Sequence, residues 1–291
     1  MTNDRGPVAV LGGNGMLGRA VTELAGERSI EIASFSHSDL DVTEAGQVRS
    51  ALGRLRPPVV LNLAGYTAVD RAEQEPGQAL RVNRDGAANV AVAARAVGAR
   101  VFYISTDYVF DGAERNPYPP DATARPLSVY GRTKWAGEEA VRAQHDDYVI
   151  VRTSWVFAPW GTNFVRTIVK HALAGRTLRV VNDQVGVPTA AQDLAAALFA
   201  LLETPAFSGT VHFSCAGPVT WYGFARAILE ELRANGSTSL PEIVPVTAAE
   251  YGAAAERPAY SVLDTTLFTA VTGVQPRSWR AALTETMNVL E

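Results

Sequence analysis

Lysine is close to absent from this chain. Lys134 and Lys170 are the only two among 26 lysine and arginine residues, so arginine carries nearly all the positive charge. Cysteine is rarer still. The single Cys215 excludes an internal disulfide framework and a cysteine-based zinc site, and a small buried apolar role is expected for it. The four histidines, His37, His145, His171 and His212, are too scattered for metal-ligand spacing. No apolar stretch approaches the roughly 20 residues of a membrane span, and Met1-Thr2-Asn3-Asp4-Arg5 lacks the apolar region of a signal peptide. Acidic and basic residues are interspersed at a net charge of −4 and a pI near 5.7, which offers no electrostatic footprint for nucleic acid. The expectation is a soluble, cytoplasmic protein that binds neither nucleic acid nor membrane. Its 291 residues suffice for one large domain or two unequal ones.

Where lysine is so scarce, the position of Lys134 carries weight. It lies four residues after Tyr130 in Val129-Tyr130-Gly131-Arg132-Thr133-Lys134. On a helix this spacing puts both side chains one turn apart on the same face. An ammonium held near a phenol favours the phenolate, which predicts a tyrosine pKa below its ordinary value of about 10. Arginine is a poor replacement, because its charge is spread over a plane. An amphipathic helix with a half-buried tyrosine would show the same spacing.

A second motif stands near the start. The apolar run Val8-Ala9-Val10-Leu11 is followed by Gly12-Gly13-Asn14-Gly15-Met16-Leu17-Gly18 and then by a helical pattern over Arg19 to Ala25. Strand, glycine turn and helix form the context of a dinucleotide fingerprint: glycines permit a sharp turn and close approach to a pyrophosphate, and free N–H groups at the helix start attract the anion. The spacing Gly-x-x-Gly-x-x-Gly has one residue more than the commoner form. Beyond it, strand and helix patterns alternate: strand Ile30 to Phe35, helix Gln47 to Leu55, strand Val59 to Leu63, helix Gln78 to Val97, strand Arg100 to Ser105, helix Tyr130 to Arg142, strand Tyr148 to Arg152. Doubly apolar strands in such alternation predict an α/β fold, a Rossmann-type doubly wound parallel sheet, with ligands beyond the carboxyl ends of its strands. Past Thr153 the alternation loosens. Trp155 to Asn163 reads as loop, Asn163 to Ala174 as helix and Leu178 to Val181 as strand. Ala191 to Leu202 and Trp221 to Arg233 read as helices, and Leu240 to Pro258, with three prolines, as irregular. Residues 1–154 are expected to form the dinucleotide-binding domain. Residues 155–291 are expected to form mainly a smaller substrate-binding lobe that returns some segments to the sheet.

The two motifs and the alternation together resemble the extended short-chain dehydrogenase/reductase superfamily and, within it, the dTDP-4-dehydrorhamnose reductase family. The most specific stretches are Ala68-Val69-Asp70-Arg71-Ala72-Glu73, Ser105 to Gly112, Val129 to Glu138, Arg152-Thr153-Ser154-Trp155-Val156, and Asn182-Asp183-Gln184 followed by Gly186-Val187-Pro188-Thr189. The resemblance implies NAD(P)H-dependent reduction of the C4 ketone of a dTDP-6-deoxy-4-hexulose. It makes Tyr130 the general acid toward the C4 oxygen, Lys134 the holder of the nicotinamide ribose and tuner of that tyrosine, and Thr106 a hydrogen-bond donor to the carbonyl oxygen. Asp107, Tyr108 and Trp155 would shape the sugar pocket, and Arg257 would grip the diphosphate through its bidentate fork. The cofactor would lie along Gly12, Gly15, Met16, Leu17 and Gly18, then His37, Asp41 and Val42, then Ala64, Gly65 and Tyr66, ending at Tyr130 and Lys134. Plainer roles are open to several of these residues: a turn cap for Thr106, core packing for Trp155, a solvated surface for Arg257. The same scaffold also serves ketoreductases of other nucleotide-linked 4-keto sugars and a regulatory subunit that binds dinucleotide without turnover. The intact Thr106, Tyr130 and Lys134 set favours an enzyme.

Two departures from the family pattern bear on cofactor and assembly. The turn after the second strand, Ser34-Phe35-Ser36-His37-Ser38, has no acid before Asp39. Repulsion against a 2′-phosphate is therefore reduced, and NADPH is the expected cofactor with NADH also accepted. Where some relatives join subunits through magnesium held by glutamates, this chain has Ala20 and Gln192, poor ligands for a hard cation. No metal is expected, and the chain is expected to be a monomer or a metal-independent homodimer.

Overall fold

Every residue of Val8–Leu11 (β1) is apolar and buried. Successive side chains of a strand point to opposite faces, so Val8 and Val10 pack into one core while Ala9 and Leu11 pack into another. A strand with this pattern needs cover on both sides. The computed structural model describes residues 6–290; the first five residues, on which the expectation of no leader was read, lie outside the described residues. Its main sheet has six strands, all parallel: β1, β2 (Ile32–Phe35), β3 (Val59–Asn62), β4 (Arg100–Thr106), β5 (Tyr148–Thr153) and, well downstream, Gly209–His212. The order across the sheet is Gly209–His212, β5, β4, β3, β1, β2. The winding reverses between β1 and β3, which opens the crevice beyond their carboxyl ends.

Helix α1 (Met16–Glu27) and the Ala/Leu-rich helix Ala191–Leu202 cover one face; α2 (Ala45–Leu55), α3 (Gly86–Val97) and α4 (Val129–Gln144) cover the other. Both Ala191–Leu202 and Gly209–His212 come from the second half of the chain, so later segments do return to the sheet. The strand Gly209–His212 is too short, and too polar in Thr210 and His212, to stand out in the sequence. A separate apolar cluster, which includes Phe157, Ile168, Phe224 and Trp279, lies among the remaining C-terminal elements, with Cys215 inside it. Burial pushes the Cys215 thiol up to about 12, so it stays protonated and inert.

Three segments differ from the sequence reading. The expected helix over Gln78 to Val97 starts at Pro76 and contains a π turn, Arg81–Asp85, whose extra residue turns Asn83 into the interior. The stretch expected to be irregular holds a strand, Ile243–Val246, paired parallel with Leu178–Val181, and a short helix, Ala248–Tyr251, started by a Thr247/Glu250 capping box. Pro245 is tolerated there because the strand lies at the edge of a two-stranded sheet. The expected loop after Trp155 carries a two-residue strand, Val156–Phe157, paired with Thr189–Ala190.

One buried network fixes α4 against the sheet. Glu138, with no exposed surface, accepts from Ser105 Oγ at 2.6 Å, from Arg152 Nε at 2.9 Å and Nη2 at 2.8 Å, and from Arg142 Nη2 at 2.7 Å. Arg152 Nη1 then donates to the Pro120 carbonyl (3.0 Å) and to His212 Nε2 (3.3 Å), while His212 Nδ1 donates to the Tyr118 carbonyl (3.0 Å). Burial and the neighbouring Arg152 charge hold the imidazole down to about 3, which keeps it neutral and able to accept. A buried ion pair is tolerable only when both partners are saturated with hydrogen bonds, as they are here. Replacing Arg152 with methionine leaves the Glu138 carboxylate under-compensated and should cost about 3 kcal/mol, read as a lower urea midpoint at unchanged m-value; a loss below about 1 kcal/mol would show that Arg142 and Ser105 suffice.

Candidate active site

The crevice above β1 and β3 is floored by glycine. Gly12 has φ +84°, and a Cβ there would lie 2.8 Å from the Ala64 backbone nitrogen. A Cβ at Gly18 would collide with the Gly13 carbonyl oxygen, so the third glycine is what lets α1 start so close to the turn. Gly15 caps α1 without a side-chain hydrogen bond, leaving the first-turn N–H groups of Met16 and Leu17 directed at the crevice. Trp160 Nε1 donates to the Met16 carbonyl at 3.2 Å and holds the segment around Gly161 over this turn. The site fits the pyrophosphate of a dinucleotide.

Beyond β2, Asp39 folds back on its own turn, accepting from the Ser36 N–H (2.9 Å) and hydroxyl (2.6 Å). Asp41 likewise accepts from the Thr43 N–H and hydroxyl. Val42 is buried, and its carbonyl accepts from Asn89. His37 stands out in solvent, its side chain 84% exposed and 4.0 Å from Asp41.

At the end of β3 the loop Ala64-Gly65-Tyr66 is clamped by Asn83. The Asn83 amide accepts from the Tyr66 N–H (2.8 Å), donates to the Tyr66 carbonyl (3.1 Å), and donates also to Thr133 Oγ1 of α4 (3.0 Å). Nothing in the sequence singles out Asn83, because only the π turn brings its side chain inward. Gly137 of α4 leaves the space that the Asn83 carbonyl and the Tyr103 hydroxyl occupy.

Helix α4 starts next to this loop. Ser128 caps it by accepting from the Gly131 N–H (3.1 Å), and Glu73 accepts from the Val129 N–H (2.7 Å). Gly131 lets the turn Asp107–Val109 press against the helix, which sets Tyr130 edge-on to Tyr108 at 6.0 Å. Thr106 caps that turn through the Tyr108 N–H (3.2 Å) and donates to Asp107 Oδ1 (3.0 Å). Thr106, Asp107, Tyr108 and Tyr130 are thus brought together, and one turn along α4 the Lys134 Nζ lies beside Gly65.

The electrostatics depart from the expected phenolate. Desolvation pushes the Tyr130 phenol up to about 12, with the nearby Thr106 hydroxyl pulling the other way and the Asp107 charge adding to the rise. Lys134 shares the helix face but spends its ammonium elsewhere: Nζ donates to the Ile104 carbonyl at 2.6 Å and sits 4.1 Å over the Tyr103 ring. Burial brings Lys134 itself down to about 7, against the pull of Glu138. Asp107 is raised to about 7 by burial, and its Oδ2 has no hydrogen-bond partner among the described residues.

Next to these groups lies a cavity of about 1030 Å³ lined by, among others, Asp70, Tyr108, Phe164, Gln184, Trp221 and Arg257. Trp155 has a left-handed backbone (φ +47°) and is stacked at 3.5 Å on Trp221, over Gly186, where a Cβ would lie 2.5 Å from its ring. The Trp155 ring thus lies face to face with Trp221, which lines the cavity. Arg257 reaches the cavity but is held there by Asp70 through two hydrogen bonds, at 3.0 and 2.7 Å. The lining residues Phe164 and Trp221 carry no signal in the sequence that separates them from core aromatics.

The family model for the RmlD substrate binding domain matches residues 7–291. The chain belongs to the RmlD family. It is 42% identical to the dTDP-4-dehydrorhamnose reductase of Streptomyces griseus, covering 97% of this chain and 93% of that one. It is 39% identical to the spore coat polysaccharide biosynthesis protein SpsK of Bacillus subtilis strain 168, over 96% and 95% of the two chains. Among solved structures, the dTDP-4-dehydrorhamnose reductase of Bacillus anthracis in complex with NADP superposes with a TM-score of 0.92 at 37% identity, covering 98% of this chain and 99% of that one.

The suppressed charge of Lys134 in this RmlD-family enzyme has a measurable signature. Below pH about 7 the residue is charged in both folded and unfolded chains. Above it, up to its ordinary value of 10.5, only the unfolded chain keeps the proton. Its contribution to stability therefore rises with pH over that window. Lys134→Met should flatten the rise of the urea midpoint between about pH 7 and about pH 9; a slope equal to that of the wild type would mean that the folded lysine stays charged.

Proposed function

We propose that this enzyme, a nicotinamide-dependent reductase, reduces the C4 ketone of a dTDP-6-deoxy-4-hexulose, namely dTDP-4-dehydro-L-rhamnose to dTDP-L-rhamnose. The observation that carries this reading is the placement of Tyr130, part-buried and edge-on at 6.0 Å to Tyr108, which lines the large cavity; its phenol is pushed up to about 12 with the Thr106 hydroxyl beside it. A proton donor has to hold its proton until negative charge develops on the acceptor, and a phenol shifted upward does so. Tyr130 gives its proton to the C4 oxygen, and Thr106 steadies the charge on that oxygen. Asp107 and Tyr108 hold the sugar, and Trp155 supports it from behind Trp221.

The glycine turn with Met16 and Leu17 would hold the cofactor's pyrophosphate, and His37, Asp41 and Val42 its adenosine end. Ala64, Gly65, Tyr66 and Lys134 would hold the nicotinamide ribose, with Tyr130 alongside. When bound, the reduced nicotinamide supplies the hydride. NADPH is the preferred form on this reading: Asp39 is tied to Ser36 and Asp41 to Thr43, so neither carboxylate is free to take both ribose hydroxyls of NADH. One observation favours a second sugar. The dTDP-4-keto-6-deoxy-D-glucose reductase of Streptomyces niveus is 38% identical to this chain, which supports another 4-keto nucleotide sugar as substrate.

The deciding experiment follows oxidation of NADPH and of NADH with the 4-keto sugar generated in situ, and identifies the product against authentic dTDP-L-rhamnose. Formation of that compound, faster with NADPH, is expected; no turnover with confirmed substrate would reject this sugar. Tyr130→Phe should lower kcat by about 10²-fold or more with the NADPH dissociation constant nearly unchanged. Normal turnover in the Phe variant would remove Tyr130 from the donor role.

A further inference from the structure

Arg257 already spends the end of its guanidinium fork within the protein. A guanidinium carries five N–H donors. Nη1 gives its two to Asp70 Oδ1 (3.0 Å) and the Ala255 carbonyl (2.9 Å), and Nη2 gives one to Asp70 Oδ2 (2.7 Å). The fork that would grip a phosphate is occupied by a carboxylate in the same bidentate geometry. Asp70 also accepts from the Ala255 N–H at 3.0 Å, so one anion joins the turn after β3 to the chain segment that carries Arg257. Both side chains line the large cavity. The carboxylate is the wetter partner, 50% exposed against 19% for the guanidinium. It can move into water once another anion takes its place on the guanidinium, whereas the drier Arg257 cannot follow it. Asp70 and a phosphate held together on one guanidinium would set two anions against each other at contact distance.

We propose that Asp70 is a displaceable counter-anion for Arg257: it fixes the guanidinium in the ligand-free cavity and yields the fork to a phosphate of the incoming nucleotide. This rests on the reading of the cavity as a nucleotide-diphosphate-sugar site. Asp70 is then a positioning residue that sets affinity and selects among nucleotides. A diphosphate has the charge to exchange with a bidentate carboxylate, and a monophosphate competes for it poorly.

The test is calorimetric titration of dTDP and dTMP into the wild type, Asp70→Asn, Arg257→Gln and the double variant, each first matched to the wild type by its urea midpoint. Asp70→Asn should bind dTDP about fivefold tighter or more and narrow the dTDP-over-dTMP ratio. Arg257→Gln should bind about tenfold weaker, and the double variant should equal Arg257→Gln, because the gain depends on a free guanidinium. A purely structural Asp70 would instead weaken binding when replaced. Unchanged or weaker binding by Asp70→Asn overturns the proposal, as does an equal gain in the Arg257→Gln background, which would mark a general effect of charge removal. Asp70→Ser, which keeps an acceptor for the Ala255 N–H, repeats the measurement should the Asn variant be unstable. Absence of dTDP binding by the wild type would instead overturn the nucleotide-sugar reading, a result independent of any Asp70 variant.

Discussion

Glu138 is one helical turn beyond Lys134 and is wholly out of water, surrounded by Ser105 from β4, Arg152 from β5 and Arg142 from its own helix. Because a buried carboxylate is stable only with all these donors in place, it tolerates very little displacement of α4 along or away from the sheet. Tyr130 and Lys134 are on that helix, and Thr106 ends the strand that carries Ser105. The distances among the proposed catalytic groups are therefore inherited from an ion pair that touches none of them.

Burial has a second consequence at the same helix. The sequence spacing of tyrosine and lysine suggests a cation that acidifies a phenol, yet both groups are shifted toward their neutral forms, the phenol upward and the amine downward. Desolvation outweighs the pair interaction, since Nζ is directed at the Ile104 carbonyl and the Tyr103 ring. A bound dinucleotide, with its phosphates and ribose hydroxyls, would change this balance by giving the ammonium anionic and polar company. In the ligand-free protein, Tyr130 is a reservoir for a proton and a poor source of phenolate.

Local signals reported much of this in advance. Apolar strands, the glycine turn and the Tyr130–Lys134 spacing depend on a few neighbouring residues, so the parallel sheet, the pyrophosphate cradle and the shared helix face are legible in the sequence. Features that depend on distant partners are not. Gly209–His212 is a strand because β5 presents it with a free edge, and Pro245, which has no N–H to donate, survives in a strand that has a neighbour on one side alone. Asn83 faces inward only because a π turn interrupts its helix. Arg257 suggests a phosphate contact on its own, and only the fold brings Asp70 to it from 187 residues away. The stacking of Trp155 on Trp221 likewise joins residues 66 positions apart and leaves no trace in the sequence.

The inward Asn83 also limits how this scaffold can change. A single carboxamide gauges two gaps at once, one to the Gly65–Tyr66 loop and one to Thr133 on α4. The proposed seat for the nicotinamide ribose and the helix bearing the proposed proton donor are thus keyed to a common ruler, and neither can drift without the other. The far wall of the cavity, around Phe164, Gln184 and Trp221, lies outside that constraint, so side chains there can vary without changing the spacing between the loop and the helix.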